Sequence, residues 1–390
     1  CTEIALNTST NETAVCNLGS VNLAQMITDG KLNEEKVAKT VRTGIRMLDN
    51  VIDNNYYPTP ESKTANMRHR AIGMGLMGYQ DALYQQNIKY DSEENLTFAD
   101  YSMEVISYYA ILASSELAKE REPYQTYKGS KWERGILPYD TLKIVEEHRG
   151  QTLKLDKAIT MDWDYVKSHI KSHGMRNSNT MAIAPTATIS NIAGVYPCTE
   201  PAFKNIYMKE NLSGNFIVIN QSLIDQLDSQ GLWNAETLKQ IKLHNGSIQN
   251  IPEIPVQIRE IFKETFEIDM SWIIKSSARR MKWIDQSAST NIFVNSTSGK
   301  YLNDIYTMAW ETGLKTTYYL RSLGATQVLK STLDTTTEKD LPKQTEKTII
   351  SAEATSIDTN HTAETSKTNN TESEQLVMCK LDDPSCEACQ

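Results

Sequence analysis

Long hydrophobic runs are missing from this 390-residue chain, since no stretch approaches the roughly 18 consecutive apolar residues of a membrane-spanning helix. An excess of positive charge is missing too. The formal net charge is −9, which argues against a nucleic-acid-binding protein that relies on phosphate contacts. Neither a positively charged leader nor an apolar signal core opens the sequence. We therefore expect a cytoplasmic protein with no membrane and no nucleic acid among its partners.

Cysteine is scarce and unevenly placed, with six in all and three of them among residues 379–390. A small disulfide-stapled domain is therefore excluded. Aromatic residues are absent from 331–390, where 12 acidic and 5 basic residues stand among Thr, Ser and Asn. Such a segment buries too little apolar surface to offset the entropy of ordering it. We predict a folded part at 1–330, a disordered Thr/Ser-rich linker at 331–378 and a cysteine tail at 379–390.

The folded part contains helical apolar stripes that alternate with short β-type runs, which is typical of an α/β fold. One stripe covers residues 37–52. Further helices are predicted at 94–120, 163–172 after the cap Asp162, 217–229, 257–266 and 269–285. Strands are predicted at 180–184, 290–294 and 315–320. The hydrophobic share of 39% is enough for a sizeable core.

Two patterns resemble binding motifs but favour structural roles. Gly73, Gly75 and Gly78 match G-x-G-x-x-G, yet no buried strand is predicted before them, so a tight turn packed against a helix is preferred to a dinucleotide site. His169 and His173 are four apart on one helix face without a carboxylate partner. We expect them to be solvated or structural, and no metal site is predicted.

Four groups of residues could carry chemistry. Cys1 and Glu3 are two apart, so an extended segment points both side chains to one side; a thiol beside a carboxylate suits a radical or nucleophilic centre with its base. Cys16 alone is most often a small buried hydrophobe. Residues 185–190 follow a short apolar run and fit a phosphate site or an ordinary helix cap equally well. Tyr318 and Tyr319, if extended, face opposite sides.

Cys386 and Cys389 form a C-x-x-C pair beyond the predicted linker. With Cys379 they give three cysteines, which is one ligand short of a closed zinc site. A dithiol that exchanges with a disulfide elsewhere explains both the pair and the linker.

Seven segments together resemble the large, catalytic subunit of class I ribonucleotide reductase. They occur in the family's order at 1–6, 16–23, 70–78, 173–179, 184–192, 283–292 and 313–321. The resemblance implies a ten-stranded α/β barrel made of two five-stranded halves. This chain would supply the second half, a disordered tail after it, and the loop that enters the barrel.

The resemblance also implies roles for single residues. Cys1 would become the thiyl radical that removes the 3′ hydrogen of the ribose, with Glu3 as the base on the 3′ hydroxyl. Cys16 would be one of the two cysteines that reduce the substrate. The substrate diphosphate would bind at Thr186, Ala187, Thr188, Ile189 and Ser190, with Ile189 contributing its backbone because many members place a hydroxyl residue there. Tyr318 and Tyr319 would relay the radical, and Cys386 and Cys389 would re-reduce the active-site disulfide.

The implied activity is reduction of ribonucleoside diphosphates for deoxyribonucleotide synthesis. The implied partners are the N-terminal portion of the large subunit, a small subunit that holds the metal-radical cofactor, and thioredoxin or glutaredoxin. ATP and deoxynucleotide effectors would bind the N-terminal portion, and no cofactor is expected on this one. Because the sequence begins at the catalytic cysteine, we expect a piece of a longer enzyme. The alternative is a non-catalytic remnant or assembly module.

Overall fold

Helices and short strands alternate along the computed structural model, which describes residues 1–211, 214–296 and 298–322, without the side chains of 209–216. The helices are α1 (Glu34–Asn54), α2 (Pro60–His69), α3 (Tyr79–Gln85), α4 (Glu93–Arg121), α5 (Thr141–Arg149), α6 (Trp163–His173), α7 (Ala187–Ala193), α8 (Gln221–Asp228), α9 (Ala235–Leu243), α10 (Val256–Ile261), α11 (Met270–Met281) and α12 (Gly299–Glu311). The strands are β1 (Asn17–Asn22), β2 (Ile27–Thr28), β3 (Lys31–Leu32), β4 (Ile72–Met77), β5 (Ile206–Asn211), β6 (Gly214–Ile219), β7 (Ile292–Val294) and β8 (Leu320–Ser322). Two short 3-10 turns lie at Leu23–Met26 and Thr265–Glu267.

Parallel pairing links five segments of the described chain side by side. β1 pairs with β4 over six residues. An isolated bridge from Met74 to Met181 adds the third segment, and one from Ile183 to Ala288 adds the fourth. The fourth segment continues into β7, which pairs with β8. Since every one of these pairings is parallel, the arrangement agrees with the expected five-stranded half-barrel.

The glycine motif forms a strand, so the predicted tight turn at Gly73–Gly78 is wrong except at its last residue. Gly73 and Gly75 lie within β4, which is buried along its whole length. A Cβ on Gly73 would lie 2.6 Å from a methyl of Leu18, and one on Gly75 would lie 2.5 Å from the Ala182 carbonyl oxygen. The glycines therefore allow neighbouring segments to approach β4 closely. Gly78 alone has a left-handed conformation, with φ of 69°, before α3.

We expect Gly75→Ala to lower the free energy of unfolding by about 1–3 kcal/mol, because its methyl group would collide with backbone that cannot move aside cheaply. Urea denaturation followed by circular dichroism measures the change. Gly299→Ala is the matched control, since a Cβ there meets no atom within 4 Å. Equal stability of the two variants would contradict the close-approach role of Gly75.

The long helices confirm the predictions from apolar spacing. The predicted stripe lies on α1, whose Val37, Val41, Ile45 and Ile52 are buried in the main core. α4 covers the predicted 94–120 helix. The predicted cap at the start of α6 is present, because the Asp162 side chain accepts from the backbone N–H of Tyr165.

A buried ion network gives a structural role to charged and polar residues in two of the segments that carry the family resemblance. Asp49 on α1 is fully buried and accepts from Arg70 (2.8 Å), Arg121 (3.2 Å) and Arg176 (3.3 Å). The side-chain amide of Asn177 donates to the same carboxylate at 3.2 Å. Because a buried carboxylate needs such partners, these contacts tie α1 to the residues that precede β4 and the third segment.

Several predicted boundaries are wrong. Residues 217–219 are not helical, since this β-branched run forms the end of β6, and Asn220 then caps α8 by accepting from Leu223 N. The strand predicted at 315–320 begins only at Leu320. The predicted 180–184 strand is reduced to the two isolated bridges of the third segment.

The described residues all belong to one compact unit. The predicted linker at 331–378 and tail at 379–390 lie outside the described residues. Among the described residues, no helix is both long and apolar enough to cross a membrane.

Candidate active site

The first residues of the chain lie against the fourth parallel segment, residues 286–290. Three hydrogen bonds join them, from Ser287 N to Glu3 O (2.9 Å), from Thr2 N to Ser289 Oγ (3.0 Å) and from Ala5 N to Gln286 Oε1 (3.2 Å). These bonds fix residues 1–5, the N-terminal loop, at three points along its length. They bring the loop next to residues that lie more than 280 positions away in sequence.

Glu3 is held at the centre of this contact. Its side chain is buried, with 1% of the residue exposed, and accepts a 2.5 Å hydrogen bond from the Ser289 hydroxyl. A charge-assisted hydrogen bond of this kind fixes the direction of the carboxylate. A carboxylate placed in this way is able to accept a proton from a bound hydroxyl group.

Cys1 lies next to the tyrosine pair. The residue is exposed, and its sulfur lies 3.9 Å from the Tyr318 hydroxyl oxygen. The rings of Tyr318 and Tyr319 have centroids 3.9 Å apart at an angle of 37°. The two tyrosines therefore do not face opposite sides, as an extended strand would require, because the regular strand β8 begins after them. Their rings instead form a continuous path to the Cys1 sulfur.

Cys16 precedes β1 and is half-buried. Nε2 of Gln286 donates to its sulfur at 3.3 Å. Burial raises the pKa of Cys16 to about 12, and the negative charges of Asp285 and Glu3 act in the same direction, whereas the hydrogen bond from Gln286 lowers the pKa. At neutral pH Cys16 is therefore a thiol rather than a thiolate. Cys1, Glu3 and Cys16 all lie beside the 286–290 segment.

The predicted diphosphate loop spans the start of α7, directly after the third parallel segment. The Thr186 hydroxyl is already used, because it accepts from the Cys198 N–H at 2.7 Å while Thr186 N donates to the Cys198 sulfur at 3.2 Å. Thr186 and Ser190 are buried, whereas Ala187, Thr188 and Ile189 are exposed. A helix leaves its first N–H groups without acceptors within the helix, so the backbone N–H groups of the exposed residues 187–189 are candidate donors to an anion.

A cavity of about 740 Å³ adjoins this site without containing it. Ala5, Gln286 and Lys315 line the cavity, but Cys1, Glu3 and Cys16 do not. Lys315 donates to the carbonyl oxygens of Ile284 (2.5 Å) and Gln286 (2.8 Å). Through these two hydrogen bonds Lys315 holds the 286–290 segment from the cavity side. Burial lowers the pKa of Lys315 to about 8; the positive charge of Lys131 acts in the same direction, and the negative charge of Asp285 acts against it.

The remaining predicted residues are the tail cysteines and the histidine pair. Cys386 and Cys389 lie outside the described residues. His169 has the structural role expected, because its Nδ1 is 2.8 Å from the Ser115 hydroxyl, and its ring lies beside that of His173. Within the described ranges no three His, Cys, Asp or Glu side chains come together as a metal site.

The comparisons with known proteins agree with this geometry. The family model of the ribonucleotide reductase barrel domain matches residues 1–320. The chain belongs to the ribonucleotide reductase family. The expected barrel fold is thereby confirmed, and the chain corresponds to a C-terminal portion of the large, or alpha, subunit.

Relatives and one solved structure show how much of a reductase large subunit is covered. The chain is 53% identical over 335 residues to the ribonucleoside-diphosphate reductase subunit alpha of Chlamydia muridarum, covering 86% of this chain and 32% of that protein. It is 35% identical to the large chain of Schizosaccharomyces pombe, covering 100% and 47%. The class Id alpha subunit of Actinobacillus ureae has a TM-score of 0.65 at 28% identity, covering 83% and 53%. The chain therefore spans a third to a half of these curated reductase subunits.

The candidate site contains two residues, Gln286 and Ser289, to which the sequence alone gave no role. Gln286 contacts Cys16, and Ser289 contacts Glu3. Both lie in the 283–292 segment that carried part of the resemblance. The available signal was the run of polar residues at 286–290, interrupted only by Ala288, beside a predicted strand.

Proposed function

We propose that this chain reduces ribonucleoside diphosphates to 2′-deoxyribonucleoside diphosphates by a thiyl-radical mechanism, as the catalytic C-terminal part of a reductase large subunit. The observation that carries the proposal is the unbroken contact from the Tyr319 ring through the Tyr318 ring and hydroxyl to the Cys1 sulfur. Family membership supports it, since the relatives are named as ribonucleoside-diphosphate reductases.

Each residue at the site then has a task. The Cys1 thiyl radical takes the 3′ hydrogen of the ribose. Glu3, aligned by Ser289, accepts the proton of the 3′ hydroxyl. Cys16 and a second cysteine from the N-terminal portion supply two electrons and form a disulfide as the 2′ hydroxyl leaves as water. The backbone N–H groups of 187–189 donate to the substrate diphosphate.

The assembly follows from the same proposal. The N-terminal portion completes the barrel and binds the ATP and deoxynucleotide effectors. A small, or beta, subunit holds the metal-radical cofactor and delivers the radical to Tyr319 and Tyr318. Cys386 and Cys389 reduce the disulfide at Cys16, and thioredoxin or glutaredoxin then reduces the tail cysteines.

The test is deoxycytidine diphosphate formation by this chain combined with the N-terminal portion and a small subunit. We expect product with either dithiothreitol or thioredoxin as reductant. With Cys386→Ser and Cys389→Ser together, the thioredoxin-driven rate should fall to background while the dithiothreitol-driven rate stays unchanged, because a small thiol needs no protein relay. An assembled complex that makes no product with either reductant would favour the assembly module instead.

A further inference from the structure

Gln286 has no exposed surface and uses its whole side-chain amide. Nε2 donates to the Cys16 sulfur at 3.3 Å and to the Ile72 carbonyl oxygen at 3.1 Å. Oε1 accepts from the backbone N–H of Ala5 at 3.2 Å. One amide thus contacts the redox cysteine, the start of β4 and the loop that carries Cys1 and Glu3.

The surroundings allow only one orientation of this amide. Ile72 is buried and its carbonyl oxygen needs a donor, while the Ala5 N–H points at the amide oxygen, so a flipped amide would set two acceptors against each other at Ile72 and two donors against each other at Ala5. The NH₂ group must therefore face Cys16. Its second hydrogen has the sulfur as its acceptor.

We propose that Gln286 is a positioning residue for Cys16, which fixes the place of the sulfur and stabilises its thiolate during disulfide exchange. This inference rests on the proposed function. When an incoming thiolate attacks the partner sulfur, a new S–S bond forms, the bond to Cys16 breaks, and Cys16 leaves as a thiolate that then takes up one proton. The departing sulfur carries negative charge at the moment when the Gln286 N–H faces it.

The charges around Cys16 make this donor important. Asp285 and Glu3 both oppose a thiolate at Cys16, and so does burial of the residue. Gln286 is the contact that acts in the opposite direction. Because Lys315 donates to the Gln286 carbonyl oxygen at 2.8 Å, the backbone that carries the amide is held as well. The donor is therefore preorganised rather than recruited.

Two variants separate the donor from the packing of Gln286. Gln286→Glu keeps an oxygen acceptor for the Ala5 N–H but removes the NH₂ group that faces Cys16, and it also brings an acidic group that opposes a thiolate there. Gln286→Met keeps a similar volume and removes all polar contacts. Gln249→Met is the matched control, since Gln249 also donates its amide to a backbone carbonyl, that of Arg259, but contacts no cysteine.

The measurement is the rate of iodoacetamide alkylation of Cys16 as a function of pH, resolved by mass spectrometry on the full chain. We expect the rate at a fixed alkaline pH to fall about tenfold in both Gln286 variants, which is one pKa unit of thiolate population. Gln249→Met should leave the profile unchanged. In Gln286→Glu the profile of Cys1 should also stay as in the wild type.

A purely structural role gives a different result. If Gln286 only braces the fold, its variants lower the melting temperature and leave the alkylation profile of Cys16 in the folded protein unchanged, which overturns the proposal. If Gln286→Glu does not fold, Gln286→Met decides by the same profile. If Gln286→Met does not fold, an unchanged profile in Gln286→Glu still overturns the proposal, because that variant loses the donor and gains an acidic group that acts in the same direction. Because alkylation needs no substrate, partner or turnover, it gives this answer even if the proposed reductase activity is not found.

Discussion

Replacing Cys1 with serine abolishes deoxyribonucleotide formation in our account. An alcohol holds its hydrogen more strongly than a thiol does, so Cys1→Ser has no group that can carry the radical to the substrate. We expect the rate of deoxycytidine diphosphate formation by the assembled enzyme to fall by at least about 10⁴-fold, as when the reacting group of an enzyme is removed. Because Cys1 is exposed and its removal leaves the loop contacts at Glu3 and Ala5 in place, substrate affinity should stay unchanged.

Cys379→Ser is the control for this variant. It makes the same chemical change in the same chain, at a cysteine to which the mechanism gives no task. With dithiothreitol as reductant, Cys379→Ser should retain the wild-type rate. Product formation by Cys1→Ser at more than a few per cent of the wild-type rate would exclude Cys1 as the radical centre.

Tyr318→Phe has the second largest expected effect. The variant keeps the ring that stacks on Tyr319 at 3.9 Å but loses the hydroxyl that lies 3.9 Å from the Cys1 sulfur. A phenylalanine ring has no O–H bond to give up, so the radical path to Cys1 is interrupted. We expect kcat to fall by about 10³-fold or more with an unchanged KM, because the lost group acts only in the reaction and not in binding.

Tyr165→Phe serves as the matched control, since Tyr165 is exposed on α6 and is assigned no part of the site. It should have wild-type kinetics. If Tyr318→Phe kept a wild-type kcat, the radical would have to reach Cys1 without the Tyr318 hydroxyl. That result would contradict the proposed role of the Tyr319–Tyr318–Cys1 contacts in radical transfer.

The long elements of the fold could be predicted from local pattern. The signals for α1, α4 and α6 are apolar spacing and capping residues within the helix or next to it in sequence, and these predictions are confirmed. The strand β4 was missed because its glycines suggested a turn. These glycines leave room for Leu18 and Ala182, which lie far away in sequence. Close approach of distant backbone is not visible in a single stretch of residues.

The candidate site was predictable as a set of residue types but not as an arrangement. Family resemblance pointed to Cys1, Glu3, Cys16 and the tyrosine pair. The contacts that organise them, from Ser289 to Glu3 and from Gln286 to Cys16, join residues separated by 286 and 270 positions. No local pattern encodes such pairs, because they arise only when parallel segments meet in the barrel.

The most direct test of the central claim is the fate of the ribose C3′–H bond. The assembled enzyme is given a mixture of ordinary and 3′-deuterated cytidine diphosphate, and the isotope ratio of the unreacted substrate is followed to high conversion. Abstraction of the 3′ hydrogen by the Cys1 thiyl radical predicts progressive enrichment of deuterium in the remaining substrate. An unchanged ratio, with product still formed, would contradict the account.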